Sequence, residues 1–189
     1  SLEPESHYYF SSASTQLLGI SRDRALKKRD PDATLSGFLS ETLWAPLGMN
    51  DDAVWHLDGK GMELGYCCLN TNARNYAKLG QLMLQNGRWG DQQLVPEKFV
   101  DKMRTPAAVD YYGYSTWINS DNNPPFYAFR GHLGQYIVVV PDHDLVLVRL
   151  GHQHPKVPSN KASALPFYIG QILPLLPATE SSTPKDKDS

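Results

Sequence analysis

Hydrophobic positions follow two different rhythms along this chain, and the change falls near residue 105. In the first part apolar residues recur at helical spacing behind polar capping residues. In "SSASTQLLGI" the Ser/Thr run precedes Leu17, Leu18 and Ile20, which predicts a helix opening. A polar loop is expected next, covering the basic stretch "RDRALKKRD" (Arg22 to Asp30) and running through Asp30-Pro31-Asp32. "TLSGFLSETLWAPLGM" then sets Leu35, Phe38, Leu39, Thr42 and Leu43 on one helical face, with Thr34 available as cap and Pro46 closing the element. "NTNARNYAKLGQLMLQNGRWG" repeats the logic through Ala73, Tyr76, Leu79, Gly80 and Met83, and ends on Asn86-Gly87, a pair that stops helices. "VPEKFVDKM" places Pro96 in the first turn of a shorter helix.

From Tyr112 onward the runs are β-branched or aromatic: "YSTWI", "FYAF", "QYIVVV" and "LVLVRL", each bounded by turn residues. The short "PDHD" between the last two predicts an antiparallel hairpin. "SALPFYIGQILPLL" follows as a last helix confined by Pro166 and Pro174, and the polar tail 177–189, "PATESSTPKDKDS", is expected to be disordered. Helices first, then strands, then one helix make the class α+β. The expected division is a helical part over about 1–105, a sheet with its last helix over about 110–176, and the tail.

Composition removes several function classes. The chain has 189 residues, 41% hydrophobic, enough for one substantial core. Eighteen basic against 20 acidic residues give a net charge of −2, and no Lys/Arg cluster is interleaved with aromatics, so nucleic acid is not the expected partner. No run approaches membrane-spanning length. The only cysteines, Cys67 and Cys68, are adjacent, a spacing that rarely suits a disulfide, and no Cys/His set has metal-ligand spacing. Neither a metal nor a cofactor is expected.

The chemistry is concentrated at "RGHLGQ". Two glycines three residues apart beside a predicted strand suit a place where another molecule approaches the backbone closely. His132 could face a substrate or be an ordinary strand-end histidine, Gly134 would admit a substrate backbone, and the Gln135 N–H could meet a developing oxyanion. No nucleophile stands opposite them. The sole S-x-x-K, Ser182 to Lys185, contains Pro184 and lies in the polar tail, where the helix that pairs such residues cannot form. His152 and His154 in "GHQHP" could be ligands or a proton relay but read as loop residues, and the Tyr/Trp set (Trp55, Tyr66, Tyr111, Tyr112, Tyr114, Trp117) could line a pocket but reads as core.

Taken in order, "FSSASTQLLG", "LWAPLGM", "NARNYAKLGQLMLQNGRW", "GYSTWI" and "FYAFRGHLGQYIVVVPDHDLVLVRLG" resemble the serine β-lactamase-related hydrolases, a group that includes class C β-lactamases, penicillin-binding-protein-like esterases and 6-aminohexanoate-oligomer hydrolases. The resemblance implies a β-lactamase/transpeptidase-like fold, an antiparallel sheet flanked by helices. It also implies an acyl-enzyme route on a small ester, amide or lactam, and a weak leaning to the periplasm or cell envelope. It makes His132-Leu133-Gly134 the family's Lys/His-x-Gly triad on a sheet strand, with Gln135 N–H as part of an oxyanion hole. The family's Tyr-x-Asn/Ser motif falls on Phe10 and Ser12, and phenylalanine cannot move a proton. Either Tyr9 substitutes through a local shift or that step is lost. The family's Ser-x-x-Lys is expected upstream of residue 1, so this chain is expected to be the C-terminal portion of the domain and inactive alone. The alternative is a catalytically inactive relative that binds peptide or cell-wall-like ligands.

Overall fold

The computed structural model of the protein describes residue 3 and residues 6–152 and 165–176. The chain divides into two compact units, Ser1–Gln153 and His154–Ser189. In the larger unit, helix α1 (Ser12–Lys27) and helix α2 (Leu35–Leu39), continued by a π-turn Ser40–Trp44, precede helix α3 (Ala73–Leu84) and helix α4 (Glu97–Arg104). Two small hairpins lie between them, β1 (Val54–Trp55) with β2 (Leu69–Asn70) and β3 (Arg88–Trp89) with β4 (Gln92–Gln93). The main sheet has four antiparallel strands in the order β5 (Trp117–Asn119), β6 (Phe126–Gly131), β7 (Gln135–Val140) and β8 (Leu145–Arg149). Helix α5 (Leu165–Ile172) belongs to the second unit.

Caps set the helix starts where the sequence places them. Thr34 accepts from the Gly37 amide at 3.0 Å and Asn72 from the Asn75 amide at 2.9 Å, each satisfying a first-turn N–H that has no partner in the helix. Helix α3 stops where Asn86 and Gly87 take left-handed φ of 53° and 81°. Pro96 stands one residue ahead of α4, at its N-cap rather than inside its first turn.

The expected polar loop after residue 21 is corrected: α1 continues to Lys27. Arg, Ala, Leu and Lys are good helix formers, and Asp23 meets Lys27 one turn on at 2.8 Å, so the basic stretch supports a helix instead of ending one. The expectation for Cys67 and Cys68 is corrected as well. Cys68 takes a left-handed φ of 73°, the chain turns back on itself, and the two sulfurs are joined as a disulfide. The tail 177–189, and with it the Ser182 to Lys185 match, lies outside the described residues, as does His154.

The core lies between α3, α4 and one face of the sheet. Met83, Val100, Tyr127 and Val139 are buried together, with Leu84, Val95, Met103 and Phe129 packed around them. Helix α3 sits so close to the sheet at Gly80 that a Cβ there would overlap Val146 Cγ1 and stand 3.0 Å from Ile137 Cγ2. A second fixed point is Asn75, fully buried at the start of α3. Its oxygen accepts from the Asn50 amide, and its amide donates to Asp51 O and Thr71 Oγ1. One side chain thus ties the loop after the π-turn to the helix.

Candidate functional site

The end of the main sheet carries the site. Strands β6 and β7 pair with Ala128 opposite Val138, Arg130 opposite Tyr136 and Gly131 opposite Gln135, so His132, Leu133 and Gly134 form the tip of a tight hairpin. The triad therefore occupies the turn between two strands, not a strand interior. Two left-handed residues make the turn, Leu133 at φ 59° and Gly134 at φ 88°. Gly131 eases the closing pair for a different reason: a Cβ there would sit 3.0 Å from the Gln135 Cβ, which would have to give way by a few tenths of an ångström. On this tip His132 and Leu133 face solvent, Gly134 is buried and Gln135 is half-buried. The Gln135 side chain is locked in a two-way pair with Gly151, donating to its carbonyl at 2.6 Å and accepting from its amide at 2.9 Å. The Gly134 carbonyl accepts from Arg149.

A pocket of about 310 Å³ opens beside this tip, lined among others by Phe10, Trp117, Arg130, Gly131, Gln135 and Tyr136. Aromatic contacts hold the segment before α1 against the sheet. Tyr8 meets Tyr112 with ring centres 4.7 Å apart and Tyr111 at 5.7 Å, while Phe10 lies 6.1 Å from Trp117 and 6.5 Å from Tyr112. Pairs at these separations add about 0.5–1.5 kcal/mol each beyond simple burial. Burial, reinforced by the neighbouring phenols of Tyr112 and Tyr111, pushes Tyr8 up to about 12, and burial likewise raises Tyr112. Both phenols are held as neutral O–H groups at physiological pH.

The charge of the pocket comes from Arg130. The register places Trp117 opposite Ala128, so Trp117, Asn119, Ala128 and Arg130 share one face of the sheet. The guanidinium lies over the indole of Trp117, 5.0 Å from the ring centre, and donates to Asn119 Oδ1 at 3.1 Å. Burial lowers its proton affinity below the usual arginine value. It stays charged, because that ordinary value is far above neutrality.

Of the residues singled out from sequence, the structure brings Gln135 to the pocket, beside Phe10. Tyr9 projects into solvent at 88% exposure, because Tyr8 and Phe10 turn toward the aromatic cluster and the residue between them faces away. Ser12 is exposed as the first residue of α1. Tyr112 and Trp117, which the sequence offers as pocket-lining aromatics or core, line the pocket, whereas Tyr8 and the cation Arg130 carry no local signal that marks them. Among the described residues no group of three or more His, Cys, Asp or Glu side chains could hold a metal ion, and no helix is long and apolar enough to cross a membrane.

Sheet, hairpin tip and flanking helices together define a β-lactamase-like fold, and comparison with known proteins agrees. The chain belongs to the Beta-lactamase family, whose model matches residues 3–165. Among solved structures it is similar to "Putative 6-aminohexanoate-dimer hydrolase from Bacillus anthracis", with a TM-score of 0.74 and 22% identity over 94% of this chain and 47% of that one. It is also similar to "Crystal structure of putative beta-lactamase from Bacteroides dorei DSM 17855", with a TM-score of 0.60 and 16% identity over 82% of this chain and 54% of that one. This chain thus spans about half the length of either neighbour. No curated protein matches it.

Proposed function

We propose that this chain supplies the sheet side of a serine hydrolase site that cleaves an ester, amide or lactam through an acyl-enzyme. The observation that carries the reading is the family match over residues 3–165 together with the glycine-gated tip Gly131 to Gln135 beside an aromatic pocket. In this reading a serine Oγ, supplied with its lysine by residues corresponding to the part of the solved neighbours that this chain does not span, attacks the substrate carbonyl. The carbonyl oxygen becomes an oxyanion, and the Gln135 N–H is the sheet-side donor to it. Collapse breaks the bond to the leaving oxygen or nitrogen, which takes up the proton the lysine removed from the serine; an alcohol or amine departs, or a lactam ring opens with its amine still attached, and water then hydrolyses the acyl-serine. His132 at the tip takes part in orienting the substrate. Ser12 is the polar residue of the second motif in this reading, and Tyr9 replaces the phenol lost at Phe10 only through a local shift of the segment, since its side chain faces solvent.

Phe10 favours a second reading, an inactive relative that keeps the binding surface, because its ring packs at a tilt against Trp117 where the family carries a phenol. Intact-mass detection of a fluorophosphonate adduct separates the two. It is run in parallel on these 189 residues and on the full product of the gene. Labelling of the full product alone supports the hydrolase; labelling of neither removes it in favour of the binding protein.

A further inference from the structure

A second cavity, of about 510 Å³, is lined by residues of α2 and its π-turn, of the β1–β2 hairpin and by Glu63. It shares no lining residue with the pocket beside the hairpin tip. Its size is that of a small-molecule site, and so is its makeup, chiefly apolar walls with a few polar groups. Trp44 and Trp55 supply the aromatic part of those walls. Each indole N–H is turned to the backbone: Trp44 donates to Asp51 O at 3.1 Å, and Trp55 to Leu64 O at 3.0 Å and Cys67 O at 3.2 Å. The two rings are thereby fixed, and they give the cavity carbon and π-electrons instead of donors.

The charge of this cavity is negative. Glu63 lines it and is only 4% exposed, and the exposed Asp52 adds a second carboxylate. The Ser36 amide at 2.8 Å and hydroxyl at 2.6 Å both donate to Glu63 Oε1, and Oε2 takes neither bond. Burial opposes the Glu63 charge, yet those bonds outweigh it and hold the carboxyl below its ordinary value. No Lys, Arg or His lines the cavity, and the ion pairs among the described residues, Lys27 with Asp23 and Arg104 with Asp101, do not reach Glu63. Hydrogen bonds hold that charge in place without cancelling it, so a cation entering here is attracted more strongly than at an exposed carboxylate.

The chemistry of the cation follows from the walls. A bare metal ion asks for several oxygen or nitrogen ligands, and among the described residues no group of three or more His, Cys, Asp or Glu could hold one. A primary ammonium brings three N–H donors to walls that are chiefly carbon. A quaternary ammonium brings none. Its charge is spread over alkyl groups that pack on the indoles as hydrocarbon while the π-systems attract the charge. We infer that the cavity between Trp44, Trp55 and Glu63 binds a quaternary ammonium group carried on a small molecule. None of these three residues takes part in the proposed hydrolysis, so the inference stands apart from that reading.

Choline and dimethylbutanol, its uncharged isostere with carbon in place of nitrogen, test this on the full product of the gene by ligand-observed NMR titration. Saturable binding of choline is expected, on the order of millimolar for so small a ligand. Dimethylbutanol should bind at least about tenfold more weakly, because it has the shape without the charge. Glu63→Gln keeps the volume, removes the charge and should abolish the preference for choline. Trp44→Leu removes one aromatic wall and should weaken choline more than the alcohol. Leu57→Lys is the variant that spares the interior: Leu57 lines the cavity yet is 55% exposed, so an ammonium there leaves the core untouched and repels the ligand. It should abolish choline binding while circular dichroism remains that of the parent protein, and it decides the matter if Glu63→Gln fails to fold. Equal binding of choline and dimethylbutanol, or no saturable binding of choline, overturns the inference. Undiminished choline binding in Leu57→Lys or in folded Glu63→Gln overturns it as well.

Discussion

Replacing Gly80 by alanine should destabilise the protein in its own background and do the opposite once Val146 is trimmed. Gly80 lies inside α3, where alanine is preferred over glycine by about 1 kcal/mol. The new Cβ, however, would overlap Val146 Cγ1 and stand 3.0 Å from Ile137 Cγ2. Non-bonded carbons rest at about 3.5–4.0 Å, so helix and sheet must separate or Val146 must leave its rotamer. Overpacking of this kind costs about 1–3 kcal/mol, which gives Gly80→Ala a net loss of roughly 0–2 kcal/mol after the propensity gain. Val146 is half-buried on the edge strand β8, and Val146→Ala alone should cost about 1 kcal/mol for its two methyl groups. With those methyls gone the severe overlap disappears, and Gly80→Ala should become neutral or stabilising by up to about 1 kcal/mol. Urea denaturation of the four proteins of the cycle, followed by far-UV circular dichroism, measures this. Coupling below about 0.3–0.5 kcal/mol, with Gly80→Ala equally destabilising in both backgrounds, would refute the close approach.

Other expectations concern charge and backbone. Burial opposes ionisation of Glu63, yet the Ser36 hydroxyl and amide, at 2.6 and 2.8 Å, outweigh it and hold the carboxyl below its ordinary value. Its folded value lying below its unfolded one, Glu63 stabilises above the ordinary carboxylate range and loses that contribution as pH falls through the folded value. Glu63→Gln should therefore cost about 1–3 kcal/mol at pH 7 and converge with the parent in acid, as read by urea midpoints at several pH values. Burial, against the opposing charge of Arg104, pushes Tyr127 up to about 12. Its neutral form stabilises the fold below the ordinary tyrosine value, and that contribution is lost as pH rises from there toward 12. Phenolate absorbance should show this tyrosine ionising last and together with unfolding; an early, reversible titration would count against its burial. Leu133→Asn should raise the urea midpoint by an amount equivalent to up to about 1 kcal/mol, since asparagine tolerates the left-handed conformation that leucine adopts at φ 59°. A lowered midpoint would mean that the exposed leucine packs in a way its turn does not suggest.

The elements that were legible in the sequence are those with a period to read. Helix α3 has a capping Asn72, an apolar stripe and a Gly87 stop, and strands β7 and β8 are β-branched runs around a tight turn. The hairpins β1–β2 and β3–β4 have two residues per strand, and two residues carry no period. Helix α1 overran its expected end because the charges that mark a loop also pair one turn apart, as Asp23 and Lys27 do. In the site, glycine chemistry pointed to Gly131 to Gln135, but the pairing of Arg130 with Asn119 depends on the β5–β6 register, which no local pattern encodes. Tyr8 and Tyr9 differ only in which side of the chain they face. That choice is made by Tyr111 and Tyr112, about a hundred residues away in sequence.

The order of the main sheet has a kinetic meaning. Strands β5 to β8 are hydrogen-bonded in the sequence in which they are synthesised, and each connects to the next through a few residues. Every pairing therefore closes a short loop at small entropic cost, on the microsecond scale of hairpin formation. The contacts that must wait are those between β7 or β8 and α3, which join distant parts of the chain at Gly80. The sheet is thus a set of local pairings, and the packing of α3 on its face is the long-range contact that closes the core.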